Sequence, residues 1–168
     1  ITISIIIATI IYVAYNAIAL AFFGIPRSLS DTYYLYKEKT NVGYVFPLMM
    51  TLVVAFMMPA WITMSEDSDF QFLAFLAPVA ILFVGAAPAF KSTNLESNVH
   101  GISAYFAAAC SLGWVAIVTP YWWVIIIWLA IVAALAMLTS SYKTALIYWL
   151  ETIAFGATFT TAIMYSML

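Results

Sequence analysis

The chain has 168 residues, 67% of them hydrophobic and only 7% charged, where soluble domains carry about 25% charge. There is too little polar surface to cover a water-exposed fold, so no soluble catalytic domain is left over. The net charge of −2 offers nucleic acid no basic footprint, and a lone cysteine, Cys110, cannot form an internal disulfide.

About 20 apolar residues cross roughly 30 Å of hydrocarbon. On that measure the expected fold is all-α: one transmembrane domain over 1–168, an integral membrane protein of six membrane-spanning helices plus a short interfacial helix. The first span is Thr2–Phe23, ended by Gly24 and Pro26.

Next comes Pro26-Arg27-Ser28-Leu29-Ser30-Asp31, which reads as a helix start with Ser28 as N-cap and Asp31 as the acid of the first turn. Leu29, Tyr33 and Tyr36 then share one face, Lys37, Glu38 and Lys39 fill the last turn, and Asn41 or Gly43 ends it. This short helix is expected to lie on the membrane interface, with tyrosines at headgroup depth. Arg27, Lys37 and Lys39 are its candidate lipid-headgroup ligands.

The second span is Tyr44–Met64, with Pro47 and Pro59 inside it. The third is Ser68–Phe90, opened by a capping box in Ser68-Asp69-Phe70-Gln71. A second capping box, Thr93-Asn94-Leu95-Glu96, precedes the fourth span, which begins at Thr93 or Gly101 and ends at Val118. From Gly101 to Leu138 there is no charge, and one helix of that length would run roughly 57 Å, too long for a bilayer. Thr119-Pro120 is the natural break, with Tyr121, Trp122 and Trp123 following at belt depth. The fifth span is then Pro120–Leu138 and the sixth Tyr142–Met167.

Loops after the first, third and fifth spans hold Arg27, Lys37, Lys39, Lys91 and Lys143, which are all the basic residues. The opposite loops hold Glu66, Asp67 and Asp69 and no base. The positive-inside rule makes the basic face cytoplasmic and puts both termini outside, in a bacterial inner membrane.

Glu151 is the one acid inside a span. Thr144, Tyr148, Glu151, Phe155, Thr158 and Ala162 form one stripe, so Glu151 is expected to face the bundle interior. Asn16, on a stripe with Thr9 and Tyr12, lies at matching depth and reaches Glu151 if the two helices touch. His100, the only histidine, sits at the cytoplasmic mouth of the fourth span. The candidate ligand-binding set is therefore Glu151, Asn16, Tyr12, Tyr148 and His100. One histidine and one distant cysteine do not make a zinc site, and Glu66-Asp67-Ser68-Asp69 reads as a solvated turn. No metal, cofactor or catalytic residue is assigned, and no nucleotide-binding loop appears.

The stretch "VGAAPAFKSTNLESNVHGISAYFAAACS" resembles the third-to-fourth helix junction of the six-helix Frag1/DRAM/Sfk1-like membrane proteins, through Gly85, Pro88, His100 and Ala104. The resemblance implies six helices and a lipid-associated role. The leading expectation is a protein that binds or transports a small molecule or lipid in the cytoplasmic half of the bundle, with the bilayer and a homo-oligomer or membrane subunit as partners. An oligomeric ion channel or proton-coupled pathway lined by Glu151 is the second reading and a non-catalytic scaffold of a membrane complex the third. An enzyme is least favoured.

Overall fold

The computed structural model describes residues 1–168 and is all-helical, with seven helices in the order α1 (Thr2–Phe23), α2 (Thr32–Thr40), α3 (Val45–Met64), α4 (Phe72–Ala86), α5 (Asn94–Ile117), α6 (Trp123–Leu138) and α7 (Leu146–Tyr165). Four of them, α1, α3, α5 and α7, are long and apolar enough to cross a membrane. The apolar α4 and α6 are shorter, at 15 and 16 residues.

α1 shows why the helices pack as they do. Ile5, Ala8, Tyr12, Tyr15 and Ala19 recur at helical spacing and are buried. The opposite face is just as apolar, with Ile3, Ile10 and Val13 exposed. A helix apolar all round gains nothing by facing water, and a hydrocarbon solvent removes that penalty. α1 packs on α3, α3 on α4, α4 on α5, α5 on α7, and α7 returns to α1, so five helices close a ring. α6 packs on α7 from outside the ring.

At the acidic end Trp61 and Trp114 meet edge to face at 5.3 Å, and Trp114 Nε1 donates to Ser65 Oγ at 2.7 Å, tying α5 to the end of α3. On the outer side, a Cβ at Gly156 would lie 2.6 Å from the Trp128 ring. The missing side chain lets α6 lie against α7, and Trp128 Nε1 donates to Thr160 Oγ1 at 3.0 Å.

Element boundaries follow local chemistry where it is satisfied locally. Thr93 caps α5, its Oγ1 accepting from Glu96 N at 3.2 Å, and the helix begins at Asn94, a turn and more before the uncharged run. The chain breaks at Thr119-Pro120 as expected, with Tyr121 N on Thr119 Oγ1 at 3.2 Å. Asn41, in the left-handed region at φ 58, ends α2. The Ser68 box does not form. Gln71 turns back so that its Nε2 donates to Ile62 O at 3.2 Å, Ser68 Oγ accepts from Phe70 N instead, and α4 starts only at Phe72. α7 starts at Leu146, after turns at 141–144, and not at Tyr142.

The segment expected on the membrane interface is the largest departure. Ser28 Oγ does accept from Asp31 N at 3.1 Å, as a cap should. Yet Ser28, Leu29, Ser30, Asp31 and Thr32 are all buried, Leu29 to 1% exposure, and so is Tyr36. Burial pushes the Tyr36 phenol above its ordinary pKa. Residues 28–32 enter the end of the bundle as a plug, and within α2 only the last turn, from Lys37 to Thr40, is exposed.

Candidate functional site

α3, α4, α5 and α7 leave a cavity on the ring's interior, with about 60 Å³ of room for the centres of water-sized molecules. One water needs roughly 10–15 Å³ on this measure, so the space is several waters large. The residues around it decide what it suits: 13 of 17 are hydrophobic. Met50, Val54 and Met57 of α3 face Ile81 and Val84 of α4. The room comes from α5, which contributes Ala104, Ala107 and Ala108 where larger side chains would fill it. From Glu151 to Phe159 along α7 the wall runs roughly 12 Å at about 1.5 Å per residue.

Polar atoms occur at defined points in this wall. Glu151 lies at the basic end, where its Oε2 accepts from the backbone N of Leu29 at 2.5 Å. That bond attaches the plug to α7 across the ring, and Tyr148 N donates to Arg27 O at 3.1 Å beside it. The first turn of α7, which lacks intrahelical acceptors for its amides, is thus completed by the plug's backbone. Further along the wall, Trp61 Nε1 and Thr158 Oγ1 have no hydrogen-bond partner, although Trp61 is 1% and Thr158 5% exposed. Ser111, on α5, is satisfied by Ala107 O at 2.6 Å.

A second set of contacts holds the plug from the other side. Lys91 Nζ is 2.5 Å from Asp31 Oδ1, an ion pair held by charge, since the approach is off the angle of a hydrogen bond. Lys91 N donates to Tyr34 OH at 2.7 Å, and its ammonium lies 4.6 Å from the Tyr34 ring centre. Tyr34 meets Phe90 edge to face at 5.4 Å, and Phe90 stacks on His100 at 4.5 Å. His100 Nδ1 donates to Ala87 O at 3.1 Å, completing the end of α4. A strap of charge and aromatic contacts therefore joins the plug to the α4–α5 connection.

The five site residues expected from sequence separate into three places. Glu151 alone lines the cavity. Asn16 does not bond Glu151: its Nδ2 donates to Tyr12 O at 3.0 Å, and Tyr148 OH reaches its Oδ1 at 3.5 Å. Helices α1 and α7 do touch, but Glu151 points to the plug while Asn16 and Tyr148 meet at the α1–α7 joint. Tyr12 stacks on Phe155 at 4.5 Å, behind a wall residue of the cavity. His100 belongs to the strap. Lys37 and Lys39 are exposed at the mouth, and Lys39 Nζ donates to Phe22 O at 3.2 Å. Sequence reasoning missed Leu29, Asp31, Lys91, Trp61 and Thr158. Asp31 had a local signal as a capping acid, and Thr158 lay on the Glu151 stripe. The amide of Leu29 had none.

No family model, curated protein or solved structure matches the chain.

Proposed function

We propose that this chain is a six-span membrane protein that binds a slim apolar molecule or lipid chain in the α3–α4–α5–α7 cavity and is positioned to pass it across the membrane. The cavity carries the reading: its wall is mostly apolar and runs along more than two turns of α7, and the plug is bonded to its one acid, Glu151. In the six-span arrangement α4 and α6 complete their crossings with the turns before them, where Gln71 N bonds Ser68 O and Val124 N bonds Tyr121 O. The basic end, with Arg27, Lys37 and Lys39, is cytoplasmic and meets lipid phosphates. Non-helical backbone at membrane depth is tolerated where protein buries it or where it lines a cavity, and residues 28–32 meet that condition.

The test uses bromodecane, a linear chain whose bromine quenches tryptophan, with Trp61 in the wall as reporter. Purified protein in a non-ionic detergent should show saturable quenching. Ala107→Phe fills the slot and should remove the saturable component while far-UV circular dichroism stays unchanged. Quenching that is linear in bromodecane and identical in the two proteins would defeat the reading.

A further inference from the structure

We propose that the cavity's ligand is a cationic amphiphile, an alkylamine-type head on a single apolar chain, with Glu151 as the counter-ion. This rests on the cavity being a binding site. Glu151 Oε2 is taken by the Leu29 amide, while Oε1 accepts no hydrogen bond from the protein. No Lys or Arg pairs with Glu151, because the ion pair at this end joins Lys91 to Asp31. Of the other titratable groups at this end, Tyr12 and Tyr148 lie at the α1–α7 joint, Asp31 in the plug is paired with Lys91, and the Arg27 side chain is exposed, so no base of the protein is bonded to Glu151.

A carboxyl group with no protein cation beside it, in an apolar wall, is complementary to an amine head: the proton resides on the amine nitrogen in the complex, and the resulting ammonium–carboxylate pair makes the stronger hydrogen bond. A fatty acid would bring a second carboxyl group against Glu151. The apolar wall beyond Glu151 takes the chain. Trp61 Nε1 is a donor without an acceptor and Thr158 Oγ1 is unpartnered, so a hydroxyl or carbonyl along the chain would be accommodated where most of the wall offers only carbon.

Decylamine, decanol and decanoate share a chain length and differ at the head. Each is used to displace bromodecane from the purified protein, with Ala107→Phe as the blank for detergent partitioning. The expected order of potency is amine, then alcohol, then acid. Glu151→Gln keeps an acceptor for Leu29 N and should weaken decylamine roughly tenfold or more, the size of one lost charge-assisted hydrogen bond, bringing it level with decanol. Decylamine is read against decanol within the same variant, so that any change in the slot itself cancels between them. If amine and alcohol compete equally in the wild type, or the amine keeps its advantage in Glu151→Gln, the ligand class is wrong while the cavity stands. If bromodecane never saturates, the cavity reading falls and takes this one with it. The wild-type order decides without the variant: any other ranking overturns the proposal.

Discussion

Glu151 gains its importance from what it bonds as well as from what it is. An acid within an apolar helix is costly unless it meets a partner, and its partner is a backbone amide 122 residues earlier in the chain. Removing the charge and removing the acceptor are therefore separable. Glu151→Gln and Glu151→Leu both delete the acid, so the cost of holding it in the bundle cancels between them. Only Leu leaves the Leu29 amide without an acceptor in a buried setting, worth about 1–3 kcal/mol. Thermal unfolding in detergent should rank Gln above Leu by that margin, and equal midpoints would mean the contact contributes nothing. Trp61 and Trp114 make the same point without a charge. Both are fully buried, yet Trp114 spends its N–H on Ser65 and Trp61 holds its own unspent.

Elements in this fold are legible where their signals are local. Thr93 and Glu96 lie in one turn, so the α5 cap forms as the sequence implies. Thr119 and Pro120 break an overlong apolar run by their own chemistry. Ser68 fails as a cap because Gln71 finds the carbonyl of Ile62 at the end of α3, a competitor that no four-residue pattern contains. Residues 28–32 are drawn inward for the same reason at longer range: the amide of Leu29 is claimed by Glu151 and the acid of Asp31 by Lys91. Helix pairing also turns on single residues. At Gly156 an added Cβ meets the Trp128 ring at 2.6 Å, and that ring is held by Thr160. Gly156→Ala should push α6 off α7 and cost about 1–3 kcal/mol, as overpacking does. Adding Trp128→Ala removes the clash, so the double variant should recover part of the loss. A double variant whose stability is the sum of the two single losses would show that the contact is not what limits the packing.

At the scale of the whole molecule, composition is enough to indicate an all-helical apolar chain, and charge is enough to divide its loops. The cavity is not legible, because it is an absence. Ala104, Ala107 and Ala108 read as helix-packing residues, and only the ring shows that nothing fills the space in front of them. The division of charge makes a claim that labelling can check. Arg27, Lys37, Lys39, Lys91 and Lys143 are in connections at one end of the bundle, and Glu66, Asp67 and Asp69 at the other. If α4 and α6 cross the membrane despite their length, positions 37, 91 and 143 share the cytoplasmic side and 67 faces out. If either helix fails to cross, the basic connections divide between the two sides, which the positive-inside rule disfavours. Single cysteines at the exposed positions Lys37, Asp67, Lys91 and Lys143, in a Cys110→Ser background, discriminate these cases. In intact cells an impermeant thiol reagent should label position 67 and spare 37, 91 and 143, all three reacting once the membrane is opened. Labelling at 91 or 143 alone would reduce the number of spans, and labelling at 37 with none at 67 would invert the protein.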